Sequence, residues 1–180
     1  MNNWFVLSVR SGMETKIVNI LKVMLDTDKY LAFVIKKEIL FWEKGKPKLL
    51  HKIIFQGYVM VQTICNAEDV IRDMRPIISI ARNNIYKILN YGSDNKDIMI
   101  RKSEQVMWES LIDSDFFIRA SFGIIDKGNL KVTSGPLVGK EAEIKKLNKY
   151  KRKAIVDVEF AGEFIEISLV LDLIDKSKKE

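Results

Sequence analysis

The sequence predicts an α+β fold in two parts: an α/β sandwich followed by a small all-β barrel. Two observations carry this. Up to about residue 112, strand-like apolar runs alternate with segments whose apolar residues recur at helical spacing. From Asn129 onward only short strands remain, at 129–133, 141–147, 153–159 and 163–168. Turn signals separate them at Ser134-Gly135-Pro136, Asn148-Lys149 and Ala161-Gly162. Closely spaced short strands over about 60 residues suit a small barrel.

The first strand is Trp4-Phe5-Val6-Leu7-Ser8-Val9, a nearly continuous apolar run that reads as buried on both faces. Ser11 and Glu14 form an S-x-x-E pattern, expected to cap a helix by reciprocal side-chain bonds to backbone N–H groups. Met13, Ile17, Ile20, Leu21 and Met24 follow as one apolar stripe. Phe33 to Trp42 and Leu49 to Phe55 are two extended arms around the turn Glu43-Lys44-Gly45-Lys46-Pro47. Tyr58 to Val61 is a further strand. Ala67 to Arg75 has the spacing of a helix, with Val70, Ile71 and Met74 on one face. Pro76 is expected to stop it, because proline lacks the N–H and its ring clashes with the preceding turn. Residues 77–82 then read as a strand and 83–100 as loop. Ser103 can cap a helix running to about Ile112.

The change of pattern divides the chain into a first domain at 1–112, a linker at 113–121 and a second domain at 122–180. A length of 180 residues accommodates two small domains. A hydrophobic fraction of 47% with 30% charged residues describes a globular chain rather than a disordered one. No run approaches the roughly 20 apolar residues that span a bilayer, and Met1-Asn2-Asn3-Trp4 lacks the layout of a signal peptide. The single cysteine, Cys65, leaves no internal disulfide, so the cytoplasm is the expected compartment. A net charge of +6 permits nucleic-acid contact without demanding it.

Catalytic chemistry finds no constellation. His51 stands alone, without Cys or carboxylate at ligand spacing, so no metal or other cofactor is expected. Cys65 lacks a local cationic partner in the sequence and is expected to be inert. Gly135-Pro136-Leu137-Val138-Gly139 is not followed by the Gly-Lys-Ser/Thr of a phosphate loop. The chain reads as a non-enzyme.

Three landmarks in order resemble the NusG family. Trp4-Phe5-Val6-Leu7 before Ser11-Gly12 resembles the first strand and turn of that family's N-terminal domain. Phe55-Gln56-Gly57-Tyr58-Val59 resembles its Phe-Pro-Gly-Tyr-Val signature, with Gln56 in place of the proline. The segment from Gly128 to Gly139 resembles a KOW motif, the opening of an SH3-like barrel, with Asn129 for the usual aspartate and Ala142 where glycine is common. The resemblance implies a NusG-type sandwich followed by a KOW domain. It also implies a monomeric transcription elongation factor, with no membrane partner and no catalytic group. Within the family, Ser121-Phe122-Gly123-Ile124, Ser134-Gly135-Pro136-Leu137 and the lysine-rich stretch from Ile144 to Ala154 resemble the LoaP-type antiterminator branch.

The resemblance implies that the first domain grips the clamp helices of RNA polymerase, with Trp4, Phe55, Gly57 and Tyr58 as the candidate residues. Aromatic residues on strands are also ordinary core. For Trp4 and Phe55 both readings stay open, while Tyr58 is read as the contact. The same domain can touch non-template DNA in the family, which makes Arg10, Arg72, Arg75 and Arg82 candidates; each taken singly is an ordinary surface arginine. The RNA candidates come from the residues themselves. Lys145, Lys146, Lys149, Lys151, Arg152 and Lys153 put six basic residues and no acid into 145–153, with Tyr150 among them. Such a loop attracts phosphates, and its aromatic can stack on an unpaired base of a structured leader. The bland reading is a solvated loop.

Three functions remain in view. The first is an antitermination factor holding polymerase and RNA. The second is a general NusG whose barrel binds a termination factor or a ribosomal protein. The third is a stand-alone KOW protein that binds RNA or the ribosome.

Overall fold

The computed structural model describes residues 2–92 and 96–175. It forms two compact units: 1–35 with 55–105, and 36–54 with 106–180. The expected linker at 113–121 is a break in sequence pattern. The compact units divide the chain at 35/36, 54/55 and 105/106 instead, so the long hairpin belongs with the C-terminal strands.

In the first unit, β1 (Asn3–Val9) and β5 (Tyr58–Thr63) are the central strands of a four-stranded sheet. They pair antiparallel from Asn3 opposite Thr63 to Ser8 opposite Tyr58. β2 (Tyr30–Phe33) and β6 (Ile85–Ile88) are the outer strands. Because side chains alternate along a strand, Phe5, Leu7 and Val9 share one face with Val59 and Val61. That face packs with Ile17 and Leu21 of α1 (Glu14–Met24) and with Val70, Met74 and Ile77 of α2 (Ala67–Ile80). Trp4, Val6, Phe33 and Met60 on the other face are buried as well, which is why β1 reads as an unbroken apolar run.

Three expectations need correction here. Ser11 does not cap α1: the N-cap is Met13, with no side-chain bond, and the Glu14 carboxylate turns to other backbone groups described below. Pro76 does not stop α2, which runs on to Ile80, so there is no strand at 77–82. The apolar stripe explains this, since Ile77 continues the row Val70–Met74 into the core. Its burial offsets the bond that proline removes. The N-terminus of α2 is capped by Asn66, whose side chain accepts from the Asp69 N–H at 2.9 Å. The stretch 83–100 is not all loop. Ile85–Ile88 is β6, and Met99 forms a bridge with Phe5; residues 93–95 lie outside the described residues.

In the second unit, β3 (Lys36–Glu43) and β4 (Lys46–Ile53) form the expected hairpin. Its two-residue turn, Lys44-Gly45, has positive φ at both positions, the geometry that matches strand twist. β7 (Phe117–Ile118) lies parallel to β3. The remaining strands are β8 (Ser121–Asp126), β9 (Asn129–Ser134), β10 (Ile144–Asn148), β11 (Lys153–Phe160) and β12 (Glu163–Asp175). They form one sheet in the order β10-β11-β12-β8-β9, with β12 and β8 parallel. α3 (Lys102–Leu111) starts close to the expected position, and the division between units falls inside it. In its second half, Trp108 is fully buried and donates its indole N–H to the Glu159 carbonyl at 2.9 Å.

Two ties explain why the hairpin belongs with the later strands. Lys37 Nζ donates to the Ser168 carbonyl at 2.7 Å, and the Ala120 N–H donates to Glu38 at 2.7 Å. The segment 113–121 is itself ordered around Arg119, which pairs with Asp113 and Glu38 and lies 4.6 Å from the centre of the Phe117 ring. Among the described residues, the fold is mixed α+β with three α-helices and a short 3-10 turn at Glu141–Glu143.

Candidate partner and nucleic-acid surfaces

The turn at 55–58 is fixed from inside. Gly57 has φ +84°, a region that other residues enter at a cost. Its N–H donates to Glu14 Oε1 at 2.6 Å, and its carbonyl accepts from the Val9 N–H at 2.8 Å. The same Glu14 oxygen accepts from Gly12 at 3.0 Å. One carboxylate therefore joins the turn after β1 to the turn before β5. Glu14 is 3% exposed, and burial alone raises its pKa. The N–H groups of Gly57, Glu14 itself and Gly12 outweigh burial and hold the pKa below the usual glutamate range.

Of the candidate polymerase residues, Trp4 is 2% exposed and meets Phe33 edge to face at 5.1 Å. It sits as a core residue. Phe55 and Tyr58 are half-buried, so each presents part of its ring to solvent. Gly57 acts through its backbone.

The basic stretch falls on β10, a four-residue turn and the start of β11. Lys149, Tyr150, Lys151 and Arg152 make the turn, as the sequence predicts. Asn148 Oδ1 accepts from the Lys151 N–H at 2.9 Å, and Arg152 takes φ +51°. The seven candidates separate into two groups. Lys145 pairs with Asp157 and lies 3.8 Å from Glu166. Arg152 pairs with Asp172 at 3.0 Å, with its guanidinium 5.5 Å from the centre of the Trp42 ring. Lys146, Lys149, Lys151 and Lys153 are exposed, and Tyr150 is 97% exposed. A tyrosine that open buries no ring area in the free chain, so its face is available for stacking.

The four arginines are not equivalent. Arg72 is held by Asp69 at 2.6 Å and Asp73 at 3.1 Å. Arg10 and Arg82 are exposed near one turn, since the Arg10 N–H donates to the Asn84 carbonyl. Arg75 is exposed beside a hollow of about 470 Å³ lined by Ile71, Tyr86 and Lys87. Tyr86 and Lys87 lie on β6, inside the stretch expected to be loop. Lys37, with Lys52 opposite it, reaches the C-terminal sheet through Ser168, an approach that no local pattern signals.

His51 is exposed, with Glu38 at 3.9 Å and the Phe117 ring at 4.6 Å. Cys65 is half-buried against the first core. Among the described residues no group of side chains could hold a metal ion, and no helix is long and apolar enough to cross a membrane.

Residues 2–107 match the family model described as "Transcription termination factor nusG". The chain is also 24% identical over 186 residues to the transcription termination/antitermination protein NusG of Bacillus subtilis (strain 168). That alignment covers 97% of this chain and 98% of the Bacillus protein. The family match spans both signature turns of the first unit, including the Glu14–Gly57 tie. The chain belongs to the NusG family, whose members are transcription factors and not enzymes.

Proposed function

We propose that this protein is an elongation and antitermination factor that holds RNA polymerase with one surface and RNA with another. In this reading, residues 1–112 dock on the clamp helices, with Tyr58 and Phe55 as anchors. Arg10, Arg75 and Arg82 face non-template DNA. Residues 122–180 act as a KOW domain of SH3-like form, and 113–121 connect the two. The observation that supports the RNA half is Tyr150, 97% exposed beside the exposed Lys149 and Lys151. Two modest contacts on one chain reinforce each other, because docking of the first raises the effective concentration of the second. This is the pattern of the LoaP-type branch.

A second reading is a general NusG whose C-terminal strands bind a protein partner; the end-to-end alignment with the Bacillus protein favours it. One experiment separates them. The full chain is mixed with polymerase and with a structured leader RNA or a scrambled control, and retention of each is measured. The antitermination reading expects retention on polymerase and a preference for the leader. Equal retention of both RNAs reduces the lysine turn to a non-specific patch. No RNA retention at low salt returns the C-terminal strands to a protein-partner role.

A further inference from the structure

The lysine turn does not stand alone. On one face of β10–β11–β12, Lys146 is opposite Ile155, and Ile155 is opposite Ser168. Asn148 and Lys153 form the next rung. Together with Leu147 and Lys151 these residues border a hollow of about 540 Å³, and Ile155 supplies the apolar side chain on this face, since Leu147 pairs with buried Ala154 on the other. Pockets for small organic groups run from about 300 to 1,000 Å³.

The hairpin approaches this hollow at Ser168. Lys37 binds the Ser168 carbonyl at its edge, and Lys52 is the direct cross-strand partner of Lys37. Burial lowers the Lys37 pKa, and the charges of Lys52, its cross-strand partner, and Lys153 push it the same way. Acids on this face are already engaged: Asp157 and Glu166 by Lys145, and Asp172 by Arg152. Like charges brought together without a counter-charge are unfavourable in the free protein. A polyanion laid across them relieves that repulsion and releases its own counterions.

We propose that single-stranded RNA crosses this hollow, with one unpaired base against Ile155 and backbone phosphates at Lys146, Lys151, Lys153 and the hairpin residue Lys52. The inference rests on the RNA reading above and extends it, since it makes β3–β4 part of the RNA surface. Lys37 then acts as a positioning residue, tying the hairpin to β12. The apolar Ile155 side chain favours a base over a bare phosphate, and such a contact tolerates sequence.

The test is fluorescence anisotropy with the full chain, using fluorescein-labelled oligouridine and a blunt RNA duplex as probes across a salt series. Lys52→Gln, in the hairpin, is compared with Lys149→Ala, in the turn. On a single strand each lost phosphate contact lowers the magnitude of the log–log salt slope by about 0.7. The inference expects that change for Lys52→Gln, several-fold weaker binding, and a clear preference for oligouridine over duplex. Loss of affinity in Lys149→Ala but not in Lys52→Gln overturns the hairpin's role and leaves the RNA reading intact. Equal binding of duplex and oligouridine overturns the base seat. No binding of wild-type protein to either probe at low salt overturns the RNA reading and this inference with it.

Discussion

Two turns of similar length do opposite things. The turn at 55–58 is clamped from inside the fold: Gly57 is held by Glu14 and Val9, and Tyr58 enters a central strand. The turn at 149–152 is held by a local bond from the Lys151 N–H to Asn148 and, at its last residue, by the Arg152–Asp172 pair and the Leu171 N–H bond to the Arg152 carbonyl, while its lysines and Tyr150 face water. The first is constrained by packing and so carries a recognisable signature. In the second, Lys149, Tyr150 and Lys151 are exposed, so packing places little constraint on their identity. The signature at 55–58 is therefore fixed by packing around Gly57, whereas the side chains of Lys149, Tyr150 and Lys151 are fixed by nothing but solvent.

The sharpest way to break that comparison is to disturb a second signature position. Gly135, in the KOW-like motif, has φ +93°, and an added Cβ would come within 2.6 Å of the Ser121 backbone. Gly135→Ala combines a left-handed backbone cost with overpacking against main chain, so a loss of about 3 kcal/mol is expected. Urea denaturation checks it. An unchanged midpoint would show that this turn, despite its motif, is as free as the lysine turn.

Glu14→Ala removes the partner of the half-buried Gly57 N–H and costs about 2 kcal/mol at neutral pH. The pH dependence has a definite sign. The folded-state pKa is lowered, so the contribution is fully present above the unfolded value, near 4.5. It is lost as pH falls through the folded-state value. Wild type and variant should therefore converge in acid, measured by thermal unfolding between neutral pH and about pH 3. A difference that is constant with pH would assign the effect to packing rather than to the carboxylate.

Tyr58 tests whether a signature residue can also be a contact. Its ring is half-buried, so Tyr58→Ala should reduce binding of the full chain to polymerase by at least about 1 kcal/mol if it is an anchor. A parallel melting curve separates lost affinity from lost fold. Affinity unchanged in a folded variant would confine the 55–58 turn to a structural role.

The strand and helix pattern of the first unit was legible because apolar period and turn residues agree there. Reading failed at Pro76, where the buried stripe through Ile77 outweighs a local breaker. It failed again at Ser11, where the expected cap is an exposed turn residue and Glu14 serves a turn far away in sequence. The lysine turn was legible because it is local. The contribution of Lys37 was not, because its bond to Ser168 spans 131 residues and leaves no periodic trace.

The smallest effect on the fold should come from the lysine turn itself. Lys149 is exposed. Lys149→Ala should thus change stability by no more than about 0.5 kcal/mol, the usual range for a surface substitution. Tyr150→Ala should behave alike, since a ring that is 97% exposed loses no packing when removed. Their effects on RNA should differ in kind. Lys149→Ala removes an ionic contact and lowers the salt dependence of binding. Tyr150→Ala removes stacking and lowers affinity by about 1–3 kcal/mol at every salt concentration, with little change in slope. Melting curves and salt titrations on the same two variants check both statements. A large loss of stability in either would mean that the turn is constrained by the fold after all, and the contrast with the turn at 55–58 would disappear.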